Sequence, residues 1–321
     1  MSSEAEGRFH MVDVSSLTSR TPSGRTPAGP PRGVLRTGLR TEDGVRIEAV
    51  YEAATPSVTD TAVVPATDTA TDTAIVVAHG FTGSVDRPAL RRAVQVLRAH
   101  APVVSFSFRG HGGSGGVSTV GDREVLDLAA AVRWARWLGH ARVVTVGFSM
   151  GGSVVLRHAA LERGTDARTD AVAAVSAPAR WFYRGTPSMR RVHWVVTRPV
   201  GRLVGRYGLH TRIDTKAWDP VPMSPVEAVP LIAPTPLLVV HGDRDPYFPL
   251  DHPRSLMAAA GVSGVSGVSG ARGEAGASGG SATSAASGGT AELWLEHGMG
   301  HAENAADEDL LDRLGAWLVR A

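Results

Sequence analysis

The chain has no cysteine among its 321 residues, which excludes disulfides, thiolate metal sites and a cysteine nucleophile together, and leaves the redox compartment undetermined. Lysine is nearly absent too: Lys216 is the only one, and arginine supplies the rest of the 33 basic residues. That bias reads as composition rather than function. No run of about 18 apolar residues occurs, so no segment is expected to cross a membrane. Residues 1–33, rich in Ser, Thr, Pro, Gly and Arg, lack an apolar stretch of signal-peptide length. A soluble cytoplasmic protein is the expectation. Charge of one sign is not in excess either. The formal net charge is only +2 despite a pI near 9.4, so composition makes no case for nucleic acid.

What is present is enough for a sizeable core, with 43 % hydrophobic residues. The length allows one α/β domain with inserts or two small domains. Residues 1–33 read as a disordered lead-in. Strands are expected at Val34–Thr41 and Val45–Glu52, turned at Asp43-Gly44. Residues 55–73, where Thr-Asp-Thr-Ala recurs, read as an insert lengthening a surface loop. Thereafter short apolar runs alternate with helical patterns. Strands are expected at Ala74–His79, Pro102–Phe108, Arg142–Gly147 and Ala171–Ser176, with helices at Pro88–Ala99, Asp122–Leu138 and Met150–Arg163. The alternation predicts an α/β fold with a doubly wound, mostly parallel sheet and helices on both faces. The rhythm breaks over 178–230, where prolines recur and Ser188–Tyr207 carries apolar residues at helical spacing. This predicts an inserted helical cap. The core, 34–177, resumes over 231–321 with a strand at Pro236–His241, a helix near His252–Ala260, a Gly/Ser/Ala insert over 261–290, a last strand at Ala291–Glu296 and a last helix at His301–Arg320.

In such sheets reacting groups gather beyond the carboxyl ends of the strands. Gly147-Phe148-Ser149-Met150-Gly151 puts a lone Ser at a strand-to-helix corner. The Gly-x-Ser-x-Gly pattern also occurs around Ser114 and Ser278, but only the copy at Ser149 lies between a strand and a helix. Ser149 is therefore the candidate nucleophile. The flanking glycines are needed because neighbouring chain passes where a Cβ would stand. Acyl transfer also needs two N–H donors aimed at the developing oxyanion. Met150 N–H is one, and Phe81 N–H, after His79-Gly80, is the other. In His241-Gly242-Asp243-Arg244-Asp245, both acids are candidates to orient a His, and Asp245 is preferred over Asp243. In Glu296-His297-Gly298-Met299-Gly300-His301, the general base is His301, with His297 as reserve. A metal pair at 297 and 301 is disfavoured because the intervening glycines oppose a helix and no third ligand is evident. Gly110-His111-Gly112-Gly113-Ser114-Gly115 follows a strand and resembles a dinucleotide loop. The next helix starts too late for that, and the loop reads as a wall of the pocket. Neither a metal nor a cofactor is expected.

Residues 180–216 hold Arg180, Arg184, Arg190, Arg191, Arg198, Arg202, Arg206, Arg212 and Lys216 against Asp214 alone, interleaved with Trp181, Phe182, Tyr183, Trp194 and Tyr207. An amphipathic cap with a solvated basic face is the plain reading. Attraction of an acidic substrate, or peripheral contact with an anionic membrane, is the sharper one.

Taken together, His79-Gly80-Phe81, Arg109-Gly110-His111-Gly112, the motif at Ser149, Pro234-Thr235-Pro236-Leu237 leading to Asp245, and Gly300-His301 resemble the α/β-hydrolase family. The resemblance covers roughly 34–320. It implies a serine nucleophile at Ser149, a base at His301, an acid at Asp245 and an oxyanion hole from Phe81 and Met150. The function expected is that of a serine esterase acting on an ester or thioester of a small to medium acyl group through an acyl-enzyme. The alternatives are a catalytically silent binding protein of the same fold, or another enzyme of that fold such as a cofactor-free haloperoxidase or a carbon–carbon bond hydrolase. A small-molecule ester is the expected partner. The sequence does not set the oligomeric state.

Overall fold

The computed structural model describes residues 31, 33–55, 72–261, 284–286 and 289–321. The expected lead-in at 1–33 and the inserts at 55–73 and 261–290 lie largely outside the described residues. Among these residues a nine-stranded sheet forms the centre, in the order β1-β2-β4-β3-β5-β6-β7-β9-β8. These strands are β1 Val34–Arg40, β2 Arg46–Glu52, β3 Thr73–Ala78, β4 Val103–Phe106, β5 Arg142–Phe148, β6 Ala171–Val175, β7 Leu237–Gly242, β8 Ser284–Ala286 and β9 Gly289–Glu296. From β4 to β9 the pairing is parallel, whereas β1, β2 and β8 run antiparallel at the two edges. The sequence pattern did not anticipate β8, which lies in the expected Gly/Ser/Ala insert. Because it pairs with β9, the last strand also begins earlier than its apolar run. Pairing of β1 with β2 starts at Arg40 opposite Arg46, so the turn at Asp43-Gly44 belongs to a longer loop than the two-residue signal implied.

Every residue of β3 is buried, as a strand sandwiched between helix layers must be. Its side chains alternate: Ala74, Val76 and Ala78 enter one core, and Ile75 and Val77 the other. The helices α1 (Pro88–Leu97) and α9 (Glu308–Arg320) cover the Ile75 face with Leu90, Leu97, Leu311 and Trp317. Covering the opposite face are α2 (Glu124–Trp137), α3 (Met150–Leu161) and α7 (Asp251–Ala259), which contribute Leu128, Val154, Leu256 and Met257. Each such side chain contributes roughly 1.5–3 kcal/mol, so the two cores fix the sheet against which the site is built. The expected last helix is two pieces, α8 (Ala302–Ala305) and α9. Between them Asp307 takes extended backbone and caps α9 by accepting from Leu310 N–H.

The cap lies between β6 and β7. Its helices are α4 (Pro187–Thr197), α5 (Pro199–Gly208) and α6 (Pro225–Ala228). The continuous pattern over 188–207 breaks at Arg198, because a residue before proline is driven from the helical to the extended region and Arg198 has φ −95°, ψ 140°. The cap is tied to the loop after β4 by bridges His111–Thr211 and Ser118–Ile213. Trp218 Nε1–H also donates to Thr119 O at 2.8 Å. No helix among the described residues is long and apolar enough to cross a membrane.

Candidate active site

The carboxyl ends of β3, β5, β7 and β9 share one edge of the sheet, and the chain leaves each of them into a loop bearing a candidate residue. Ser149 stands at the corner between β5 and α3 with φ 53° and ψ −113°, a strained conformation that costs about 1–3 kcal/mol. The packing enforces it. A Cβ on Gly147 would lie 2.1 Å from Gly151 O, and one on Gly151 would lie 2.3 Å from Ala78 O. Ser149 N–H donates to Val175 O at 2.8 Å, which ties the corner to β6.

Ser149 Oγ lies 2.8 Å from His301 Nε2, and His301 Nδ1 lies 2.7 Å from Asp245 Oδ2. A neutral imidazole protonated on Nδ1 donates to the carboxylate and accepts from the hydroxyl. Ala302 fixes the backbone beside it: its φ is 53° and its N–H donates to Ser176 Oγ at 3.1 Å. Tyr247 packs against the His301 ring with centroids 4.3 Å apart. The Asp245 side chain is fully buried and its Oδ1 accepts from Tyr247 N–H and Phe248 N–H at 2.7 and 3.1 Å. Burial pushes its pKa up. The hydrogen bond and charge of His301, with the two backbone donors, outweigh burial and hold the carboxyl below its ordinary value. Behind it His241, its pKa lowered by burial, donates through Nε2–H to Phe248 O at 2.9 Å.

The other two candidates form a second pair. His297 Nδ1 lies 2.7 Å from Asp243 Oδ2, and Gly298 N–H donates to Asp243 Oδ1. This couple faces solvent, and neither residue lines the cavity above Ser149.

That cavity has a volume of about 760 Å³, with Ser149, Met150, Phe81 and His301 in its lining. Neither Phe81 N–H nor Met150 N–H donates to an acceptor among the described residues. Aromatic rings of Trp181, Phe182, Trp218 and Tyr247 form much of the wall, with Trp181 edge-on to Trp218 at 5.1 Å. The expected wall at 109–115 is a correction. Those residues do not line the cavity, because Arg109 is drawn inward to Asp127 and Asp43 at 2.8 and 2.7 Å and His111 sits behind, edge-on to His79 and Phe81. Ser118, Thr119 and Val120 supply the wall instead.

Two acids escaped the sequence reading. Glu124, fully buried at the start of α2, accepts from the backbone N–H of Thr119, Val120 and Gly121 and from the hydroxyls of Ser118 and Thr119. Glu303 Oε1 accepts from Gly80 N–H at 3.1 Å, which sets the peptide leading into Phe81. In sequence each is an acid in the first turn of a helix, a pattern that ordinarily complements the helix dipole at the surface. No group of three or more metal-ligating side chains is gathered among the described residues.

Comparison with known proteins agrees with this architecture. Residues 73–195 match the family described as alpha/beta hydrolase fold. A curated relative, Esterase LipC of Mycobacterium tuberculosis, is 30 % identical over 152 residues, which is 42 % of this chain and 35 % of the relative. The chain thus spans about a third of that relative's length. Among solved structures, the Pyrococcus furiosus esterase Pf2001 superimposes with TM-score 0.61 at 21 % identity, over 92 % of this chain and 98 % of that one. Est1E of Butyrivibrio proteoclasticus, solved with ferulic acid bound, gives TM-score 0.51 at 16 % identity, over 88 % and 99 %. The matched strands and elbow, together with the strand order, give this chain the α/β-hydrolase fold.

Proposed function

We propose that the chain is a serine hydrolase that cleaves a carboxylic ester or thioester of a small to medium acyl group through an acyl-enzyme. The observation that carries this reading is the continuous relay Ser149 Oγ, His301, Asp245, with contacts of 2.8 and 2.7 Å. His301 Nε2 takes the hydroxyl proton as Ser149 Oγ attacks the carbonyl carbon. The oxyanion is held by Phe81 and Met150 N–H, the cation on His301 by Asp245. The tetrahedral intermediate collapses as His301 returns the proton to the leaving alcohol or thiol. Water, deprotonated by the same imidazole, then attacks the acyl-enzyme and frees the acid and Ser149. Relatives named as esterases support this class, and the aromatic part of the cavity wall suits an apolar acyl chain, with Arg180, Arg184, Arg191, Arg202 and Lys216 also in the lining.

A series of p-nitrophenyl esters of increasing chain length, with Ser149→Ala as control, tests the reading. Turnover that peaks at short to medium chains and disappears in Ser149→Ala is expected, together with fluorophosphonate labelling of the parent alone. Folded parent protein that neither labels nor turns over any ester overturns it.

A further inference from the structure

The cap's outer helix is built the wrong way round for a soluble protein. In α5 the apolar residues Val200, Leu203, Val204 and Tyr207 recur at the i, i+3, i+4, i+7 spacing of one helical stripe. Such a stripe ordinarily faces a core. Here it faces solvent: the four residues are 61, 56, 43 and 70 % exposed. The helix packs on the rest of the cap through glycines. Gly201 and Gly205 are its only buried residues, and a Cβ on Gly201 would stand 2.3 Å from Trp194 O of α4. The glycine contact brings α5 close to α4 while leaving the larger side chains outward. A contiguous apolar patch on a surface marks an interaction site.

Charge narrows the partner. Residues 180–216 carry nine cations and one acid, a formal +8, so the rest of the chain carries −6 of the net +2. Of these nine, Arg180 alone forms an ion pair among the described residues, with Asp251. Arg198 stands just before α5 and Arg206 within it, beside the apolar stripe, and Arg190 lies on α4 near the exposed Trp194, while Arg191 and Arg202 line the cavity above Ser149. An apolar stripe flanked by unpaired arginines is the pattern of a helix lying in a membrane interface. Each cation near such a surface adds about 1 kcal/mol of attraction. Nucleic acid would use the cations and leave the stripe without a role.

We propose that the α4–α5 side of the cap docks on an anionic lipid membrane, with Val200, Leu203, Val204 and Tyr207 entering the interface and the arginines meeting the headgroups. This binding is independent of the catalytic reading. It bears on that reading because Met189, Val192 and Val196 of α4, the helix under α5, line the cavity above Ser149. Docking therefore holds the cavity within one helix layer of the lipid.

Co-sedimentation of the full chain with phosphatidylcholine vesicles, with and without phosphatidylglycerol, tests the proposal. Binding is expected only with phosphatidylglycerol, and it should fall steeply as salt is raised several-fold above physiological strength. L203Q/Y207Q should weaken it by about tenfold or more, and R198Q/R206Q by a similar factor. Hydrolysis of a soluble short ester should stay unchanged in L203Q/Y207Q, since neither residue lines the cavity. The proposal is overturned if neither vesicle binds, or if binding survives L203Q/Y207Q undiminished. A dimer in sedimentation equilibrium that L203Q/Y207Q dissolves, without vesicle binding, assigns the stripe to a second copy and overturns it too.

Discussion

At the base of the cavity, side chains are buried and polar groups are matched: Asp245 has three donors, Glu124 five, and Ser149 is locked between strands and helix. In the cap above, α4 buries no residue, α5 buries two glycines, and eight of the nine cations lack an ion pair among the described residues. One region spends its interactions on geometry; the other leaves most of its cations without a counter-ion among the described residues. A reacting hydroxyl misplaced by an ångström loses most of its rate, whereas a surface that meets a partner needs chemistry more than fixed coordinates. Mutations should therefore be severe at the base and mild in the cap.

The largest effect belongs to the relay. Ser149→Ala and His301→Ala should each cut ester turnover by roughly 10⁴- to 10⁶-fold, and Asp245→Asn by about 10⁴-fold. Melting temperature should change little for Ser149→Ala. Steady-state kinetics on the best p-nitrophenyl ester reads this out, and a loss below a hundredfold breaks the assignment of the base as the reacting region. Next comes Glu124→Ala. It strands five donors, two of them buried, and should cost about 3 kcal/mol in urea unfolding, with the loop 118–121 loosened and kcat/KM lowered. Glu124→Gln, which keeps an acceptor, should recover part of both.

A smaller effect separates the buried interior from the cap by pH. His158, on α3, is fully buried, and neither ring nitrogen finds a partner among the described residues. Burial lowers its pKa to about 3, while in the unfolded chain it titrates near 6.5. Between those values the unfolded state binds the extra proton, so stability falls as pH drops from about 6.5 toward 3. His158→Leu should remove that loss, raising stability relative to the parent by about 2 kcal/mol more at pH 5 than at pH 8. An equal change at both pH values counts against a buried neutral histidine. The smallest effect is Arg190→Gln on exposed α4, expected within about 0.5 kcal/mol of the parent by thermal melting. A cost above 1 kcal/mol there would show the cap to be built like the base.

The same contrast decides what could be read from the amino acids alone. Strands such as Ala74–Ala78 announce themselves because burial on both faces demands an unbroken apolar run. Ser149 announces itself because strand, Ser and flanking glycines must stand together in sequence. Asp245 and His301 were legible from their place after strands, yet each had a rival two or four residues away. Only the pairing of neighbouring loops separates Asp245–His301 from Asp243–His297. Glu124 and Glu303 were not legible, since their partners are backbone N–H groups brought in by the fold. The strand β8 was hidden in a segment rich in Gly, Ser and Ala, where no periodicity marks a strand. The break at Arg198 was written plainly in Pro199 and was overridden by the apolar spacing on either side.

The outward-facing Asp243–His297 couple has a practical corollary. It is a built-in control for the inner one, matching it in chemistry while differing in access. A reagent that acylates imidazole from solution meets exposed rings such as His297 and His210 before His301, so inactivation should lag behind the first histidines modified. That delay distinguishes the outer rings from the inner one without a mutation.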